Sequence, residues 1–236
     1  MQRKYNPSKK LNPLISEIGI SKHFSKHSKE IDDTVKFRRE MNNEVLEELA
    51  RIHTKDNQRD YEKKETIVLV HPFYFMHDKK YLNKKTTKEF DKYYKKLEFV
   101  LRNSYPNFSL VLYDSYLNYV ARTGKLAEKG YFDKIIFSEQ DSGITMNKLE
   151  LTYFNKKKIF VGGLYNGGCI GKAITEIREN SIPRKIRAIK DLILEDISLN
   201  EKSIRSKKIY DRFSKRVRTT TVENLFEEKF EMLFGK

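Results

Sequence analysis

Ile159-Phe160-Val161-Gly162-Gly163-Leu164-Tyr165-Asn166-Gly167-Gly168-Cys169-Ile170-Gly171-Lys172 is the stretch on which the reading of this chain turns. A β-branched and aromatic run ends in glycines, and an aliphatic pattern at helical spacing follows. That order predicts a strand, a tight turn and the start of a helix at about Gly168–Asn180. Five of the chain's ten glycines fall between Gly162 and Lys172. Glycine permits positive φ and close backbone approach, and the N–H groups at a helix start attract anions. Asn166, Gly167, Gly168 and Ile170 are therefore candidate ligand contacts, although a turn packed tightly with small residues would use the same glycines.

Outward from this stretch the same alternation repeats. Strands are expected at Ile67–Val70, Phe108–Tyr113, Lys134–Phe137, Lys158–Val161 and Lys185–Ile189, with helices near Lys84–Asn103 and Ser115–Glu128. In the helix at 84–103, Phe90, Tyr94, Leu97 and Leu101 share one face, with Tyr93 and Val100 beside them. Repeated strand–helix units predict an α/β fold of Rossmann-like three-layer type, a parallel sheet with helices on both faces. Right-handed crossovers place the carboxyl ends of all the strands on one edge, where ligands of open sheets bind. The rule selects His71 and Tyr74 after the first strand, Asp114 after the second, and Ser138, Glu139 and Gln140 after the third. Asp191 follows the fifth. Asp114 can equally cap a helix, and His71-Pro72 can equally serve only to turn the chain.

The flanks read differently. Residues 1–64 are expected to form a basic arm followed by an amphipathic helix at Asp33–His53. Residues 65–200 form the α/β domain, and 201–236 a helical extension. In that extension Ile209, Phe213 and Val217 lie on one side of an expected helix at 203–218, and Arg205, Lys208, Arg212 and Arg216 line much of the rest. A second helix is expected near Thr220, where Thr220 and Glu223 match a capping box.

Composition limits the classes of function. With 38% apolar residues, 15 Phe and 14 Tyr, the 236-residue chain can build a packed core. No apolar run reaches the roughly 18–20 residues that span a bilayer, and the first twenty residues lack the apolar core of a secretory signal. The lone Cys169 cannot form an internal disulfide. A cytoplasmic location is expected, with no membrane partner. The net charge of +15 is dispersed along the chain, so it favours solubility and loose polyanion attraction without defining a site. No metal and no cofactor is expected, and the oligomeric state stays open.

The glycine turn is not a nucleotide-triphosphate loop. In the window Asn166–Ala173 the pair Gly171-Lys172 fits, but Asn166 stands in place of the first glycine and Ala173 in place of the magnesium-binding hydroxyl. Cys169 is the other focus. A thiol at a helix N-terminus is a candidate nucleophile, and a small buried hydrophobe is the ordinary alternative.

A strand ending in Gly, a short turn, and then Cys with an aliphatic residue opening a helix resembles the isochorismatase-like cysteine hydrolases, which include nicotinamidases. The residues that carry the likeness are Ile159–Ile170, and Ile186–Asp191 resembles that family's strand after the cysteine helix. The resemblance implies the fold and a thiol site. The family pairs its cysteine with an Asp ending the first strand and a Lys near a middle strand. Here the first position is His71, and the nearest lysine, Lys134, precedes the third strand. The resemblance therefore implies a divergent member, active or silent, with His71 as candidate base because Cys–His is a workable pair.

Two functions follow. The first is a cysteine-dependent hydrolase of a small amide or ester, with Cys169 as nucleophile and His71 as base. The N–H groups around Gly168–Ile170 would receive an oxyanion, and Asp114, Glu139 and Asp191 would face the ligand. The second is a non-enzymatic α/β protein that binds nucleic acid or an acidic protein through Arg205, Lys208, Arg212 and Arg216.

Overall fold

The computed structural model describes residues 63–72, 84–115, 118, 119, 123, 127, 130–139, 143–164, 168–194 and 217–227. Six strands form one sheet: β1 (Glu65–Val70), β2 (Ser109–Ser115), β3 (Lys134–Ser138), β4 (Lys158–Leu164), β5 (Lys185–Leu194) and β6 (Arg218–Thr220). Their order is β3-β2-β1-β4-β5-β6, and every pairing is parallel. The chain thus runs outward from β1 to β3 and then returns to β1's other side as β4. That reversal is a switch point of the strand order, and ligands of open sheets bind beyond the carboxyl ends of the strands at such a point.

The strands read as nearly continuous apolar runs because both faces of the sheet are covered. Ile67 and Leu69 pack with Tyr93, Leu97 and Val100 of α1 (Lys84–Asn103) in one core. Val68 and Val70 point the other way, to a second core with Ile170, Ala173, Ile174 and Ile177 of α2 (Cys169–Asn180). A 3-10 helix, Lys148–Phe154, adds Leu151 and Phe154 to that second core. Each large apolar side chain so buried contributes about 1.5–3 kcal/mol. The expected three layers are present, and both helices fall within a residue of their expected bounds.

Three expectations are corrected. β5 does not end at Ile189: its register against β4 jumps from Val161↔Ala188 to Gly163↔Ile193, so the strand bulges and continues to Leu194. The C-terminal segment is not a separate helical extension throughout. Arg218–Thr220 pairs with β5 at Arg187–Ile189, and Val222, Leu225 and Phe226 complete the α1-side core. The expected helix at 203–218 therefore cannot include Arg218. Because β6 takes up Thr220, the cap of the following helix (222–227) moves on by one residue, and Thr221 Oγ1 accepts from Asn224 N–H at 3.1 Å. The arm and helix expected within 1–62 and the basic residues Arg205, Lys208, Arg212 and Arg216 lie outside the described residues, as does most of 115–128. Among the described residues no helix is long and apolar enough to cross a membrane.

Candidate active site

β1 delivers His71 to the carboxyl edge of the sheet. The residue continues the ladder, its N–H donating to Tyr113 O at 2.9 Å, and then turns sharply with φ 43°, a left-handed conformation unusual for a side-chain-bearing residue. Two contacts hold the turn. Tyr93 of α1 donates its hydroxyl proton to Pro72 O at 3.1 Å. On β4, Gly163 has φ 124°, and a Cβ there would lie 1.9 Å from Val70 O. Only glycine lets β4 pass so close to the end of β1.

β2 delivers Asp114, fully buried, whose carboxylate accepts from His71 Nδ1 at 2.9 Å. A carboxylate can only accept, so Nδ1 carries a proton and Nε2 is the ring nitrogen turned away from Asp114. Asp114 is itself held by its own neighbours. Asn118 Nδ2 donates to both of its oxygens at 2.9 and 2.7 Å, Thr123 Oγ1 donates at 2.9 Å, and the Ser115 N–H at 2.9 Å. Such a network fixes the position and orientation of the carboxylate.

Cys169 opens α2 and is 8% exposed. It is hydrogen-bonded to His71. Burial pulls the His71 imidazole down, but the hydrogen bonds and charges of Asp114 and Cys169 outweigh it, and its pKa is pushed up to about 9. β3 ends at Ser138, whose Oγ lies 3.5 Å from His71 Nε2. Gly143, beyond β3, lies against the backbone of the cysteine. At Gly143, with φ 69°, a Cβ would lie 2.2 Å from Cys169 O, and Gly143 O accepts from the Tyr113 hydroxyl at 3.1 Å. Lys172 N–H returns to Gly168 O at 3.0 Å as the first turn of α2 closes. The preceding N–H groups of that turn have no intrahelical acceptor.

The structure therefore brings Cys169, His71 and Asp114 into one connected row on the carboxyl edge. Gly168 and Ile170 flank the cysteine, whereas Tyr74, Gln140, Asn166 and Gly167 lie outside the described residues. Glu139 is exposed, with its N–H donating to Ile144 O at 2.7 Å. Asp191 is not part of the row. It sits in the bulge of β5 on the α1 side, pairs with Lys96, and accepts from Val222 N–H at 2.9 Å. Lys134 starts β3, opposite Val111, and pairs with Glu150 at 3.5 Å, so it is at the wrong end of its strand for the cysteine. Asn118 and Thr123 escaped the sequence reading. The signal for Asn118 was its place four residues after Asp114, where one helical turn returns a side chain to its neighbour.

No family model and no curated protein matches the chain. Among solved structures, it is similar to the crystal structure of an isochorismatase-like hydrolase from Alkaliphilus metalliredigens. The two are 12% identical, the match covers 70% of this chain and 98% of that one, and the TM-score is 0.47.

Proposed function

We propose that this protein is a cysteine-dependent hydrolase of a small amide or ester, with Cys169 as nucleophile, His71 as acid–base and Asp114 as its orienting carboxylate. The observation that carries the reading is His71 itself: one imidazole bonded on one side to a buried carboxylate and on the other to a thiol at a helix N-terminus. This is the nucleophile–base–orienter row expected of acyl transfer.

In the reaction, the thiol proton passes to His71 Nε2, which holds it as imidazolium, and the Cys169 Sγ so freed attacks the substrate carbonyl carbon. The new S–C bond pushes electrons onto the carbonyl oxygen, which the N–H groups at the start of α2 receive. Collapse of that oxyanion breaks the bond to the amine or alcohol, and His71 returns the proton to the leaving group. Water then attacks the thioester, with His71 again taking a proton, and the C–S bond breaks to restore the thiol. The high proton affinity of His71 suits the first step, and Asp114 stabilises the imidazolium that results. Small substrates are favoured because Cys169 is largely buried.

The test is hydrolysis of p-nitrophenyl esters and small primary amides by the parent, Cys169→Ala and His71→Gln. Turnover by the parent that disappears in Cys169→Ala is the expected result. Equal turnover in parent and Cys169→Ala would reject the reading.

A further inference from the structure

The opposite edge of the sheet carries a second feature that the hydrolytic row does not use. A cavity of about 270 Å³ lies at the amino ends of β1, β4 and β5, lined by Lys63, Lys64, Lys156, Lys158 and Arg184 around one carboxylate, Glu65. That carboxylate is already taken by Lys158 at 2.7 Å. No carboxylate among the described residues pairs with Lys64, Lys156 or Arg184, and all three side chains are exposed. Like charges converge here although nothing in the sheet requires it, and their mutual repulsion is relieved by an anion.

The backbone that carries the cations is also tied together. Lys158 N–H donates to Lys64 O, Arg184 N–H to Lys157 O, and Lys156 N–H to Ile182 O, each at 2.8 Å. The three segments bearing the charges are thus joined backbone to backbone, and Lys156 is held at the turn with φ 59°. Beside them Tyr105 is 69% exposed, with Lys63 Nζ 4.6 Å from its ring centroid, and Ile182 is 78% exposed. Cations around a concavity with an exposed aromatic ring at its margin match how single strands are held, with phosphates on the charges and a base on the ring.

We propose that this amino-terminal edge binds the phosphate backbone of single-stranded nucleic acid, with Lys64, Lys156 and Arg184 contacting phosphates and Tyr105 stacking a base. The site is distinct from the cysteine row. β1 alone separates the two edges by six residues, about 20 Å of extended chain.

The experiment is fluorescence anisotropy of labelled oligothymidylate and oligouridylate with the full-length protein over a salt series. Competition by tripolyphosphate and inorganic phosphate runs in parallel. Three phosphate contacts predict a log–log salt slope of about −2. Lys64→Gln/Lys156→Gln/Arg184→Gln together should flatten that slope and weaken low-salt binding at least about tenfold. Tyr105→Ala should weaken it about tenfold with the slope kept. Circular dichroism and the ester turnover of the triple variant should match the parent, since these side chains are exposed and remote from Cys169. The proposal is overturned by any of three results: absence of binding at low salt; binding lost only when Arg205, Lys208, Arg212 and Arg216 are replaced by Gln; or tripolyphosphate competing as well as the strand with Tyr105→Ala unchanged.

Discussion

His71 Nδ1 lies 2.9 Å from Asp114 Oδ1, with both side chains buried at 1% and 0% exposure. The pair joins the ends of two adjacent strands, since Val70 and Tyr113 are partners in the parallel register and the two residues follow them directly. Sheet geometry therefore sets their separation, and the left-handed turn at His71 aims the ring from Asp114 towards Cys169.

Asp114→Asn tests the charge of that pair with little change of shape. Asparagine can present its N–H₂ to His71 and reverse the tautomer, leaving the proton on the nitrogen that must take one from Cys169. Ester turnover should fall by about 10³- to 10⁴-fold in kcat. Asp114→Ala should in addition lower stability, because the buried donors Asn118 and Thr123 lose their acceptor, at about 1–3 kcal/mol for each group left unsatisfied. Thermal melts of the two variants separate these effects.

Stability should depend on pH through His71. Its folded pKa of about 9 lies above the free value of 6.5, so the folded state holds the proton more tightly than the unfolded chain. The stabilisation is complete below about 6.5, declines as pH rises, and is gone once pH passes about 9. Urea unfolding across this window should show the loss in the parent and a flatter profile in His71→Gln. Turnover should have a basic limb near the same pH, since the leaving group needs the imidazolium proton.

Gly143→Ala should disturb the packing of Gly143 against Cys169. Its positive φ alone costs alanine about 1–2 kcal/mol, and the new methyl group would meet the Cys169 carbonyl at 2.2 Å. The loop must move away from the cysteine. Turnover should fall more than stability does, and alkylation of Cys169 by a bulky maleimide should become faster than in the parent.

Asp191→Asn is expected to act on the fold alone. The side chain ties β5 to Lys96 of α1 and to the start of the helix at 222–227. Losing its charge should cost about 0–1 kcal/mol through the partly exposed ion pair, since the amide oxygen can still accept from Val222 N–H. The ester kcat/KM should stay within about twofold of the parent. A loss as large as that of Asp114→Asn would place Asp191 back in the site.

What was legible in the sequence follows from which signals are local. The strands and α1 could be read because their residues bury faces at fixed periods, and the Gly162–Lys172 turn because strand, glycines and helix lie in one stretch. His71, Asp114 and Cys169 could be shortlisted because parallel crossovers send every strand's end to the same edge. Their connection could not be read, since it depends on the register of β1 with β2 and on the φ of His71. The pairing of Asp191 with Lys96 could not be read, because a bulge is a property of the pairing of two strands and nothing in Lys185–Leu194 alone announces it. β6 was missed because three residues are too few to show a period, and its neighbours, Val217 and Val222, also suit a helix face.

The central claim is that Cys169 forms a covalent acyl intermediate with His71 as its base. Acid-quenched mass spectrometry of the protein mixed with p-nitrophenyl acetate measures this directly. The parent should gain one acetyl group on Cys169 during the first turnover, Cys169→Ala none, and His71→Gln the same adduct about 10²- to 10⁴-fold more slowly. An adduct that forms as fast in His71→Gln as in the parent, or turnover with no adduct on Cys169, would contradict the account.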